Sequence, residues 1–141
     1  MIDSFERLTG IELKNQGTVF LVGLGHGATH WIIGSVYVLL PFIQQDLNLS
    51  YTAVGVLISV FHISAFIANF GSGFLVDMTR QRVLLMMISL IFGAMAFLVT
   101  GWAQGMAFLL IIMVFIGATN NLWHPPAISF LSGLFPSSRG Y

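Results

Sequence analysis

The sequence predicts an all-α integral membrane protein with four transmembrane helices, on three observations. Of 141 residues 57% are hydrophobic and only 7% charged, where a soluble domain carries about a quarter charged residues; the mean hydropathy is +0.92. Four apolar stretches each reach the roughly 20 residues needed to cross a hydrocarbon core of about 30 Å. Their lengths, without an alternating in-out pattern, select helices over barrel strands, because in lipid the backbone must satisfy its own hydrogen bonds. The third observation is that none of the four contains Lys, Arg, Asp or Glu.

Residues 1–16 form a separate N-terminal segment. Asp3, Glu6, Arg7, Glu12 and Lys14 alternate with Phe5, Leu8, Ile11 and Leu13 at helical spacing. Either a short amphipathic helix at the interface or a frayed tail fits that pattern. The membrane part, 17–141, begins with helix one, about 17–43. It is too long for the apolar region of a signal peptide, and no small-residue cleavage site follows Pro41, so it stays in the mature protein.

At about 100° per residue, Gly23, His26, Gly27, His30, Gly34, Tyr37 and Pro41 share one side of helix one. Leu21, Ala28, Ile32, Val36, Leu39 and Ile43 occupy the other. Small residues let membrane helices approach and polar groups avoid hydrocarbon, so the glycine and histidine side is expected to face protein or water. Gly23, Gly27, Gly34 and, on helix four, Gly117 are the candidate packing positions. Helix two, about 52–76, aligns Gly55, His62, Phe66, Asn69 and Gly73. Helix three, about 83–103, offers only Ser89, Gly93 and Thr100 and is expected at the lipid-covered periphery.

Helix four, about 106–135, groups Gly117, Asn120, Asn121 and His124 against Phe108, Ile112, Phe115 and Leu122. Pro125 and Pro126 remove two backbone donors, which frees carbonyls near Asn121 and Leu122 and bends the helix beside His124. Counted from one end of their helices, His26 lies roughly 14 Å deep, His30 roughly 20 Å and His124 roughly 17 Å. Three imidazoles from two helices at one depth are the candidate substrate or proton site, with Asn120 and Asn121 beside them. The asparagines, with Asn69, also fit plain interhelical hydrogen bonding.

Orientation follows from the cations. Arg7 and Lys14 precede helix one, Arg80 and Arg82 separate helices two and three, and Arg139 follows helix four. The other two connections hold no base, so the positive-inside rule puts the N-terminus in the cytoplasm. Five basic and five acidic residues cancel, which leaves no electrostatic stripe for nucleic acid. Without cysteine there is no disulfide framework, thiolate zinc site or cysteine nucleophile. No serine-histidine-acid set, phosphate loop or metal-ligand spacing is read, so neither an enzyme nor a cofactor is expected.

The run from Gly73 to Arg82, a glycine, Asp77 four residues on, then Arg80 and Arg82 in a short loop after the second helix, resembles the signature of the major facilitator superfamily. It departs from that signature in three places: Met78 follows the aspartate where a base is usual, Arg80 stands at the second glycine position, and Gln81 replaces another base. The helix-four run from Gly117 to Ala127, with Phe135 to Gly140 beyond it, is similar to the fosmidomycin-resistance-like branch, where a His-Pro pair and a terminal Arg-Gly recur.

The resemblance implies twelve helices in two six-helix halves, so this chain reads as the N-terminal part of a transporter, stopping at Gly140-Tyr141 before helix five. The expected partners are a small-molecule substrate, the lipid bilayer and the C-terminal part of the same transporter. It implies alternating access, with helices one and four lining the cavity and Gly73, Asp77, Arg80 and Arg82 forming a cytoplasmic gate element. A local role for Asp77, capping helix three or pairing with Arg80 or Arg82, is the alternative. Many members carry an arginine inside helix four; this chain has none, nor any intramembrane carboxylate, so a coupling proton would fall to histidine, whose pKa near 6.5 permits cycling. A neutral imidazole cavity favours anionic or weakly acidic substrates. Two rival readings are a complete four-helix protein acting as an oligomer and a haem-binding electron carrier.

Overall fold

The structure, a computed structural model, describes residues 2–135, with side chains from residue 6. The run after Phe135, including Arg139, Gly140 and Tyr141, lies outside the described residues. All the regular structure described is helical: α1 Ile2–Thr9, α2 Leu13–Asp46, α3 Tyr51–Thr79, α4 Arg82–Val99, a 3₁₀ turn at Thr100–Trp102, α5 Met106–Leu122 and α6 His124–Leu134. Four spans are long and apolar enough to cross a membrane: α2, α3, α4 with its terminal turn, and α5 with α6.

Each junction has a local cause. Gly10, at φ +67°, turns α1 into α2, and the corner is tied by Leu13 N–H donating to Glu6 Oε1 at 2.6 Å and Gln16 Nε2 donating to the Ile11 carbonyl at 3.0 Å. The N-terminal segment thus carries a short helix. Ser50 caps α3 by accepting from Ala53 N–H at 3.1 Å, the usual service of a serine before a helix. At the other end Arg80 caps α3 in the left-handed region, φ 56°, its N–H on the Val76 carbonyl at 2.8 Å. That conformation costs a non-glycine residue energy, so the position where the superfamily signature has glycine is one where the backbone asks for it.

The bundle is held by two apolar clusters. Val36 and Leu40 of α2, Leu57 and Phe61 of α3, and Leu109, Ile112, Met113 and Ile116 of α5 form the larger one, in the half nearer the α2–α3 and α4–α5 connections. Met86, Trp123 and Ala127, with Val22, Leu90 and Phe130 against them, form the smaller one in the other half. The most extensive helix contact is α3 on α5, where Gly117 lies directly against the Phe61 carbonyl and the Ser64 hydroxyl. Ser89 Oγ donates to the Thr119 carbonyl at 2.5 Å and joins α4 to α5. Asn120 Nδ2 donates to the Thr29 carbonyl at 2.8 Å and joins α5 to α2.

Several faces differ from the sequence reading. The buried stripe of α2 is Gly25, Thr29, Val36 and Leu40, so Val36, expected toward lipid, is in the core. Gly23, Gly27 and Gly34 meet nothing within 4 Å among the described residues. Of the four glycines expected at contacts, Gly117 alone is at one here. On α3 the buried face is Leu57, Phe61, Ala65, Ser72 and Val76, while Gly55, His62, Phe66 and Asn69 are exposed. Ile112, grouped with the lipid side of helix four, is buried. Helix three is half covered: Leu85, Met86, Ser89 and Gly93 pack inward, and Leu84, Met87, Ile91, Phe92, Met95 and Leu98 point out. The physical reason is shared. Lipid tails are as apolar as leucine, so an apolar side chain carries no preference between lipid and a neighbouring helix.

Candidate functional site

Helix α2 carries His26 and His30 one turn apart, and their Nε2 atoms lie 3.0 Å from each other. His124 opens α6 and reaches the same place from the other side. Ring centroids are 4.6 Å apart for His26–His30, 5.3 Å for His26–His124 and 6.2 Å for His30–His124, with interplanar angles of 73°, 88° and 87°. One ring nitrogen from each falls within 4.8 Å of the others. The sequence reading placed these three at one depth; the structure brings them into one cluster.

What positions the cluster is the break between α5 and α6. Pro125 and Pro126 occupy the first positions of α6, where a missing N–H costs least, and α5 stops at Leu122. The chain at Trp123 keeps helical dihedrals, φ −69° and ψ −44°, so what is interrupted is the hydrogen-bond ladder. Trp123 is turned inward, 4% exposed, and the six-membered ring of its indole lies against Gly25; any side chain there would run into the ring. One residue on along each helix, His26 faces His124. Thr29, whose hydroxyl donates to the His26 carbonyl at 2.7 Å, is the residue whose own carbonyl takes Asn120. Two contacts, Gly25–Trp123 and Thr29–Asn120, therefore fix α2 against helix four on either side of His26.

The site is open on one side. His26 and His30 are exposed and His124 is half-buried, its ring lying by the Asn120 backbone. Asn120 is buried and donates to Thr29, a contact that joins two helices; Asn121 is half-buried beside the break. Gly23, Gly27 and Gly34 border the same open face without touching another helix. Farther along it, Tyr37 Oη and His62 Nε2 are 2.8 Å apart and link α2 to α3. Sequence reasoning missed Gly25 and the Tyr37–His62 pair. It also read no metal spacing, although His26 and His30 at i and i+4 put two imidazoles on one helical face.

The second constellation sits at the α3–α4 turn. Gly73 is half-buried, Asp77 and Arg80 are exposed and Arg82 is half-buried. Arg82 lies on the last turn of α6, Nη1 3.0 Å from where a side chain on Gly133 would begin, and its Nε is buried with no hydrogen-bond partner among the described residues. Glu12 and Lys14 pair at 2.6 Å, exposed and contributing little, and no ion pair joins Asp77 to Arg80 or Arg82 among the described residues. Asp77 is thus not paired with Arg80 or Arg82, and at Gln81, the residue before α4, there is no side-chain cap, so neither local role considered for Asp77 is seen among the described residues.

No curated protein and no solved structure matches the chain. A family model described as Major Facilitator Superfamily matches residues 18–141, at the level of the superfamily and not of the fosmidomycin-resistance-like branch. The matched residues take in nearly all of the four spans, the three-histidine cluster and the Gly73–Arg82 turn, and the chain belongs to the major facilitator superfamily.

Proposed function

We propose that these helices serve a secondary active transporter that moves a small solute by alternating access, with His26, His30 and His124 in its solute site. That the chain is of a membrane transporter type follows from its family; the site is our reading. The observation that carries it is the convergence of three imidazoles from two helices on an open face. Polar side chains facing hydrocarbon are costly, so such a face is suited to water or solute. Interhelical bonding does not account for it, because the 3.0 Å contact joins two residues of the same helix.

Neutral imidazoles donate and accept hydrogen bonds, and an anionic or weakly acidic solute fits them best; a drug exported from the cell is one such cargo. The hydrogen held between His26 and His30 is also where a coupling proton would enter. In cells lacking their own exporters, His26→Gln, His30→Gln and His124→Gln are expected to lower accumulation or resistance toward a panel of anionic compounds, about tenfold or more for at least one variant, at equal membrane abundance. Three unchanged profiles would remove the site.

We assign the α1 side to the cytoplasm of a plasma membrane, on the placement of Arg7, Lys14, Arg80 and Arg82 and the positive-inside rule. Single cysteines at Asn48 and Gln81 are expected to react from opposite sides with an impermeant thiol reagent; labelling of both from outside would reverse the assignment. On that side Gly73, Asp77, Arg80 and Arg82 are proposed as the gate element, Arg82 anchored on α6 and Asp77 free to engage a moving partner.

A further inference from the structure

We infer that His26, His30 and His124 form a site for a divalent transition-metal ion of the zinc class, with one coordination position left open for an anionic donor. The inference rests on the reading of this cluster as the solute site and names the chemistry the site selects. A tetrahedral zinc ion with metal–nitrogen distances of about 2.0–2.1 Å separates its ligands by about 3.3 Å. The Nε2 atoms of His26 and His30 are 3.0 Å apart, and the third ring nitrogen comes within 4.8 Å of both. The remaining gap is within the reach of ring rotation, since His26 and His30 are exposed. The rings stand nearly perpendicular to one another, so the cluster is no stack of ring faces.

The donor set decides the ion. Three neutral nitrogens suit zinc, copper, nickel and cobalt, and no carboxylate is present for magnesium or calcium. Binding requires a free lone pair at both Nε2 atoms, so the hydrogen now between them moves to an Nδ1, and an occupied cluster does not hold that shared hydrogen. Charge decides the fourth position. None of the apolar segments contains Asp or Glu, and a doubly charged ion on three neutral ligands in a membrane is compensated only by an anion from outside. Three protein ligands plus one exchangeable position is also the arrangement of sites that act on what they bind rather than brace a fold.

The test is cobalt binding to the intact protein, purified in detergent without a histidine tag. Cobalt(II) is expected to give a visible absorption band typical of low-coordinate nitrogen ligation, and zinc to abolish it by competition. His26→Gln, His30→Gln and His124→Gln are expected to weaken binding by at least about tenfold, the loss that follows even from removing an outer-shell partner. His62→Gln, outside the cluster, leaves the band unchanged. Acetate or azide added to the cobalt form is expected to shift the band, which reports the open position. Absence of a band in the wild-type protein overturns the inference, whatever the variants do. So does a band that survives all three cluster substitutions or is lost with His62→Gln. Transport lost in the variants with no cobalt binding in the wild type overturns the metal site and leaves the solute site standing; cobalt bound at the cluster with unaltered transport upholds the metal site and removes the solute reading.

Discussion

Replacing Gly117 with valine is expected to abolish accumulation of the folded protein in the membrane. Gly117 is where α5 lies on α3, and what its missing side chain would strike is the carbonyl of Phe61, a backbone atom that cannot swing aside, along with the Ser64 hydroxyl. Ser64 already donates to that same carbonyl at 2.8 Å, so a bulky group there displaces both helices. Around the contact sit Phe61, Met113 and Ile116, all nearly fully buried, and overpacking such a site costs about 1–3 kcal/mol or more. Gly117→Ala should give an intermediate loss, and Gly34→Ala, which meets open space, almost none. Membrane abundance and monodispersity in detergent measure this series; wild-type behaviour of Gly117→Val would show that α3 and α5 do not pack as described.

The four spans were legible because length and absence of charge are sufficient marks of a membrane helix, and both are written locally. The histidine cluster was partly legible. Depth could be counted, and a proline pair next to His124 announced a break in the helix. What could not be read was which stripe of each helix is covered. In the run Gly23-Leu24-Gly25-His26-Gly27, three glycines compete for the role of contact, and only the partner chooses among them. The partner is Trp123, and a usable signal existed: with His26 opposite His124, the preceding residues, Gly25 and Trp123, also fall opposite each other. The departure at Arg80 was visible as an arginine in a glycine's place, but its meaning required the backbone, whose φ of 56° shows the strain that glycine would avoid.

Asp77→Asn is expected to lower transport per molecule by about tenfold or more while leaving thermal stability unchanged or slightly raised. The two signs differ for a physical reason. Asp77 lies in the last turn of α3, at the end where the helix dipole is negative and a carboxylate is disfavoured. It is exposed and, among the described residues, has no ion pair with the nearby Arg80 or Arg82. Nothing local therefore rewards the charge, and asparagine keeps the size of the side chain while removing it. If the charge acts in the gate, by meeting a positive group or a helix N-terminus that comes and goes as the transporter changes state, its loss alters the population of those states and hence turnover. Asp77→Glu should recover part of the activity. Transport normalised to abundance, set beside the melting temperature in detergent, separates the cases. Reduced stability with normal turnover per molecule would return Asp77 to a structural role, and normal values of both would leave the carboxylate without a function in the gate.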